Sequence, residues 1–163
     1  NVLFTVDNTT VPPVFNQDDE QQVNGVTFGA TGQLTRDWQV MTSVAYLDSQ
    51  SLSQGPNHGM RLTLSPEWSG SVWTSYRLPK NFAVAGGVRG TTSTFYNAAN
   101  TIQAPGYKVL DALVEYMVNA HLTLRMNVYN LTDEIYVRNI NNNGGRYNPG
   151  FRRTAQLTTV IAF

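Results

Sequence analysis

Along most of this chain apolar and polar residues alternate with a period of two. From Leu122 onward, Leu122, Leu124, Met126 and Val128 fall on one side and Thr123, Arg125 and Asn127 on the other. The last stretch repeats the pattern, with Leu157, Ile161 and Phe163 opposed to Thr154, Gln156 and Thr158. Trp68, Val72, Tyr76 and Leu78 alternate with Ser69, Ser71, Ser75 and Arg77. Trp38, Val40, Val44 and Tyr46 alternate with Gln39, Ser43 and Ala45, and Val26, Phe28, Ala30 and Leu34 with Thr27, Gly29, Thr31 and Gln33. Successive side chains of a strand point to opposite faces, so these runs predict strands with one apolar face; no stretch carries a helical period. About eight strands are expected, a stub at 1–6 and seven fuller runs.

The breaks between runs come in two kinds. Short polar breaks at Arg36-Asp37, Lys80-Asn81 and Asn119-Ala120 recur about forty residues apart, and each can close a tight hairpin. Longer breaks rich in glycine, proline and asparagine cover 7–22, 49–66, 97–106 and 137–150. Short turns at one end and long loops at the other describe an antiparallel up-and-down barrel of the outer-membrane type. The aromatic residues agree. Trp38, Tyr76, Phe82, Tyr116 and Phe163 lie near the short turns or the C-terminus, whereas Tyr46, Trp68, Phe95, Tyr96, Tyr107 and Tyr136 lie beside the long loops. Two such belts are expected where strands cross the two membrane–water interfaces.

Composition narrows the picture. Charged residues are 13% of the 163, about half the roughly 25% usual in soluble domains, and 11 Lys+Arg balance 11 Asp+Glu. That balance offers no basic footprint for nucleic acid. No apolar run reaches the ~18–20 residues of a membrane-spanning helix, and the lack of cysteine removes disulfides and thiolate metal sites. Arg77, Arg89, Asp111, Glu115 and Arg125 all fall opposite the apolar sets, which puts them in a lumen; a lipid-facing arginine at midplane costs about 2–4 kcal/mol. The lumen positions are otherwise mostly small: Ser69, Ser71 and Ser75, Ala83, Ala85 and Gly87, Thr27, Gly29 and Thr31, with Trp73, Leu113 and Met117 as larger members. A closed eight-stranded barrel fills its interior with side chains, so these faces suit a wide barrel holding water or a separate plug. The start at Asn1, without methionine and within a strand, is expected to mark a mature or excised piece.

Several motifs carry a family resemblance. The stretch NVYNLTDEIY at 127–136 resembles the penultimate-strand signature of TonB-dependent receptors, N-x-x-N-L-F-D-x-x-Y, with Thr132 at the phenylalanine position. GRYNPGFRRT at 145–154 is similar to their final-loop motif, and PGYKVLDA at 105–112 to their P-G-Y-x-x-x-D strand start. VNGV at 23–26 resembles a weaker V-x-G-x-E element, with Thr27 in place of the glutamate. Phe163, with Ile161 and Leu157 before it, resembles the terminal signal read by the barrel-assembly machinery. The residues also have a plain physical reading: Asn130 and Asp133 can bond local backbone where a strand leaves the sheet, and Pro149-Gly150 presets a turn.

The resemblance implies an all-β transmembrane segment, about eight strands of an about 22-stranded barrel, with residues 1–163 forming the C-terminal part of the barrel domain. It implies a bacterial outer-membrane receptor for a ferric siderophore, not an enzyme, with no cofactor beyond its iron-bearing cargo. Contact with TonB would run through a plug domain and TonB box that this stretch lacks. Outer-membrane lipid and lipopolysaccharide are the other expected partners. The alternative is a complete small eight-stranded barrel acting as an adhesin or structural protein.

Candidate chemistry is sparse. His58 and His121 are far apart, and Gly86-Gly87-Val88-Arg89-Gly90 sits inside an alternating run with no following helix, which reads as strand and not phosphate loop. Asp18-Asp19-Glu20 reads first as an exposed acidic loop, with calcium binding the lesser alternative, and the sequons at 8–10 and 130–132 carry nothing in a bacterial source. One feature carries a functional expectation. Arg138, Arg146, Arg152 and Arg153 follow Tyr136 with no acidic residue among them, whereas 7–22 holds four acids and no base. Arginines at an extracellular mouth raise the local concentration of an anionic chelate, and Arg138 and Arg146 are the expected capture residues. Lipopolysaccharide contact or loop-to-loop pairing is the competing role.

Overall fold

The computed structural model describes residues 2–7, 14–140 and 145–163, with side chains described from Glu20 onward. In chain order the strands are β1 (Val2–Asp7), β2 (Val14–Gln33), β3 (Trp38–Ser51), β4 (Trp68–Leu78), β5 (Phe82–Thr91), β6 (Thr94–Phe95), β7 (Gln103–Ala104), β8 (Tyr107–Asn119), β9 (Leu122–Tyr129), β10 (Val137–Ile140), β11 (Tyr147–Pro149) and β12 (Thr154–Ile161). Eight of them form one antiparallel meander in the order β1-β2-β3-β4-β5-β8-β9-β12. The sheet is open, with β1 and β12 at its edges. β6–β7 and β10–β11 are separate two-stranded hairpins within the long connections.

The register turns the alternation into two faces. Tyr46 pairs with Trp68, Val44 with Gly70, Thr42 with Val72 and Trp38 with Tyr76. Val72 and Val84 continue this face through Val88 and Tyr76, and Val114 meets Met126. Paired residues share a side, so these apolar residues form one continuous surface, and Arg77, Arg89, Asp111, Glu115 and Arg125 lie on the other. Burial is inverted relative to a soluble protein. Val26, Phe28 and Leu157 stand 70%, 62% and 72% exposed, whereas Ala104, Val109 and Tyr136 are the buried apolar side chains among the described residues. An apolar face this extensive is stable only against an apolar solvent, here the lipid. On the other face Gly87 lies opposite Trp73, where an added Cβ would come within 2.5 Å of the indole; the glycine makes room for an inward ring.

The short turns close by local chemistry. Lys80 and Asn81 both take positive φ (62° and 65°) within the three-residue connection that joins the paired Leu78 and Phe82. Thr35 Oγ1 accepts from the amides of Asp37 and Trp38 at 3.3 and 3.1 Å, and Asn119 Oδ1 accepts from the His121 amide at 2.8 Å.

Three sequence expectations need correction. The break at 7–22 contains strand on both sides, for β2 begins at Val14 and pairs with β1 from Asp7↔Val14 to Val2↔Glu20. Beyond the lipid a strand is wet on both faces and loses its apolar alternation, so this polar ribbon read as loop. The break at 137–150 likewise contains the β10–β11 hairpin, with Val137↔Pro149 and Ile140↔Tyr147 paired. Finally, Tyr107 and Tyr136 do not belong to an outer belt. Tyr107 shares the inward face with Arg89 and Asp111, and its ring packs on that of buried Tyr136 at 4.3 Å. Tyr46 and Trp68, ring centroids 4.8 Å apart, do form the outward pair near the long loops; Phe82 and Tyr116, stacked at 4.4 Å, do so at the turn end.

Candidate functional site

The inward face carries two ion pairs. Glu115 and Arg125 are direct cross-strand partners, with Arg125 Nε 2.8 Å from Glu115 Oε2. Arg89 Nε donates to Asp111 Oδ2 at 2.9 Å across β5 and β8. The other oxygen of Asp111 accepts from the Asn130 amide at 2.8 Å, which joins the lumen wall to the exit of β9.

At that exit the two family-like motifs meet. Asn130, 1% exposed and at φ 53°, donates through Nδ2 to the carbonyls of Glu134 and Phe151 at 2.9 and 2.8 Å. Its Oδ1 accepts from the Glu134 amide at 2.8 Å. Asp133 grips the entry to β12: Arg152 donates to it through Nε and Nη2 at 2.9 and 2.6 Å, and the Arg153 amide at 2.9 Å. Those donors, led by the Arg152 side chain, hold the Asp133 carboxyl well below the usual carboxylate range, and the same pair raises Arg152. Gly150 lies against the Tyr136 ring, which a Cβ would approach within 2.1 Å, and its amide donates to the Tyr136 carbonyl at 2.8 Å. The sequence supplied the local half of this clamp; the bonds to Phe151, Arg152 and Arg153, some twenty residues away, carry no local signal.

The clamp sorts the arginines. Arg152 is bound to Asp133. Arg138, on β10, is exposed, with its guanidinium 5.5 Å over the Phe151 ring. Arg146, also exposed, directly precedes β11, so the structure brings Arg138 and Arg146 onto the two arms of one hairpin. Arg138 also borders a cavity of about 130 Å³ shared with Leu64, Pro66, Thr94 and Ala104 from two other connections. Those connections are fastened together: the Arg61 amide donates to Asn100 Oδ1 at 2.7 Å, Asn100 Nδ2 to the Arg61 carbonyl at 2.9 Å, and the Leu64 amide to the Phe95 carbonyl at 2.8 Å. Among the described residues, these two long connections are thus tied to each other.

The remaining candidates do not converge. His58 Nδ1 faces the Leu52 carbonyl at 3.3 Å, and His121 Nδ1 the Ala162 carbonyl at 3.0 Å, at opposite ends of the strands. Gly86 to Gly90 lie within β5, as the alternation predicts. The side chains of Asp18 and Asp19, and the Asn8 sequon, lie outside the described residues.

Comparison with known proteins gives a consistent result. The family described as TonB dependent receptor-like, beta-barrel, matches residues 1–131. A catecholate siderophore receptor of Escherichia coli K12, Fiu, is 30% identical over 158 residues, covering 91% of this chain and 20% of the receptor. The crystal structure of the closed form of that ferric-catecholate import receptor superposes with TM-score 0.81 at 29% identity, over 92% of this chain and 22% of the other. The siderophore receptor PiuA of Acinetobacter baumannii superposes with TM-score 0.85 at 24% identity, over 92% and 23%, a likeness of fold. The chain spans about one fifth of the length of the curated relatives it matches.

Proposed function

Because the chain belongs to the TonB-dependent receptor β-barrel family, we propose that it forms wall and outer mouth of a receptor that imports a ferric siderophore. It lies in the bacterial outer membrane. All of residues 1–163 belong, on this reading, to the C-terminal part of a barrel whose plug and TonB-contacting segment lie elsewhere in the full protein. The ferric chelate is cargo, so no resident cofactor is required, and no residue is assigned a catalytic role. Phe163, at the sheet edge and fully exposed, is the contact assigned to the barrel-assembly machinery. The open sheet supports a wall segment over a small closed barrel, which would need β1 and β12 paired with each other.

The observation that supports the capture role is that Arg138 and Arg146, both exposed, lie on the two arms of one hairpin. Two cations at the outer mouth attract an anionic chelate from solution and speed its encounter. Replacing both with alanine in the full receptor is expected to weaken ferric-catecholate binding roughly tenfold at low salt, with the deficit shrinking as ionic strength rises. Unchanged affinity at low salt would remove the capture role and favour loop pairing or lipopolysaccharide contact for these arginines.

A further inference from the structure

One stretch of the inward face is covered. Val109, inward on β8 and paired with Arg89, is fully buried. On a single sheet a side chain is buried this fully only beneath a second layer. Its inward neighbours on β8 show what that layer is. Tyr107, two residues before, carries the Tyr136 ring, and Asp111, two residues after, accepts from the Asn130 amide at 2.8 Å. Residues 130–136 therefore lie over the lumen wall at the loop end of β8. Arg89 reaches the same layer from β5: its Nε donates to Asp111 Oδ2 at 2.9 Å, and its guanidinium is also turned to the Tyr136 hydroxyl.

Tyr136 stands at the base of the arginine hairpin. β10 begins one residue after it, and β11 ends one residue before Gly150, whose amide donates to the Tyr136 carbonyl at 2.8 Å. Both arms thus leave from one residue, and Arg138 follows it by two. The buried ring is held by Tyr107 on one flank and its hydroxyl by Arg89. A side chain locked by packing along its body and by a hydrogen bond at its tip fixes the direction of the backbone that bears it. Arg89 is itself paired with Asp111, so it adds little net field of its own for an anion. We propose that Arg89, in the lumen wall, is a positioning residue for the capture arginines: through the Tyr136 hydroxyl it fixes the base of the hairpin that carries Arg138 and Arg146. Its effect on binding rests on the capture reading of that hairpin; its effect on hairpin position does not.

Spin labels on Asn139→Cys, exposed on β10, and Ala120→Cys, exposed at the β8–β9 turn, report where the hairpin stands against the sheet when read by double electron–electron resonance in the full receptor. With Arg89 and Tyr136 intact, one narrow distance is expected. Tyr136→Phe deletes only the hydroxyl and keeps the ring on Tyr107, so the barrel should fold normally. Tyr136→Phe and Arg89→Met should each broaden the distance, and the two together no more than either alone, because both cut one link. Ferric-catecholate affinity at low salt should fall roughly fivefold in each, the scale of losing one preorganised side chain. It should fall no further when Arg89→Met is added to Arg138→Ala with Arg146→Ala. An unchanged distance in either variant would overturn the positioning role, even if the unfolding midpoint dropped. A further loss of affinity from Arg89→Met in the receptor lacking both mouth arginines would overturn it too, by making Arg89 a contact of the chelate. Equal affinity in every variant, the double-arginine one included, would refute the capture reading and leave the distances to decide on Arg89.

Discussion

The two ends of the strands are built differently. At the turn end each connection is two to four residues long and is closed by its own atoms: the paired positive φ of Lys80 and Asn81, the Thr35 hydroxyl under Trp38, the Asn119 side chain under His121. At the loop end the closing bonds join residues far apart in the chain, as between Asn130 and Phe151, Asp133 and Arg152, or Arg61 and Asn100. A short hairpin needs no help from tertiary structure. A long loop has to recruit distant partners to satisfy its backbone, and once recruited they make it a defined surface.

If that contrast is right, the largest single loss lies at the loop end. Asn130→Ala removes three short hydrogen bonds at a buried position and is expected to destabilise the folded receptor by roughly 2–4 kcal/mol in urea unfolding followed by tryptophan fluorescence. An unchanged midpoint would show that the clamp is decorative. Gly150→Ala should follow, at about 1–3 kcal/mol, because its Cβ must displace the Tyr136 ring; Gly150→Ala with Tyr136→Leu should recover part of the loss.

A smaller effect comes from the exposed Asp133–Arg152 pair, and it has a direction with pH. Because the folded carboxyl titrates below its ordinary value of 3.8, its contribution is complete above that value and is lost as pH falls through the folded one. Hydrogen exchange at the β12 entry should therefore quicken on acidification below the ordinary carboxylate range, and Asp133→Asn should be equally quick at neutral pH. The smallest change is expected at the turn end. Lys80→Gly relieves a positive φ and should stabilise by about 1 kcal/mol without altering ligand binding. A loss there as large as that of Asn130→Ala would abolish the distinction between the ends.

The same contrast explains what could be read in advance. Across a short turn the register follows closely by counting; a one-residue bulge between Met117 and Asn119 then shifts it, so that Glu115 meets Arg125 and not Met126. Across a long loop it does not follow: Arg89 and Asp111 could be placed on one face but not joined. Tyr107 and Tyr136 were misplaced for this reason, since proximity to a loop does not say which face a ring occupies. The polar ribbon of β1 and β2 escaped because two wet faces leave no period to detect.

By itself the sequence determined the strands, their two faces and the membrane, because lipid on one side and water on the other impose an alternation that every residue must obey. It also held the motifs of the family. Tertiary structure alone decided that Arg152 is bound to Asp133 and Arg89 to Asp111, and that Asn130 reaches Phe151. Those facts depend on register across long connections, and register is fixed by the assembled sheet, which no local stretch of chain contains.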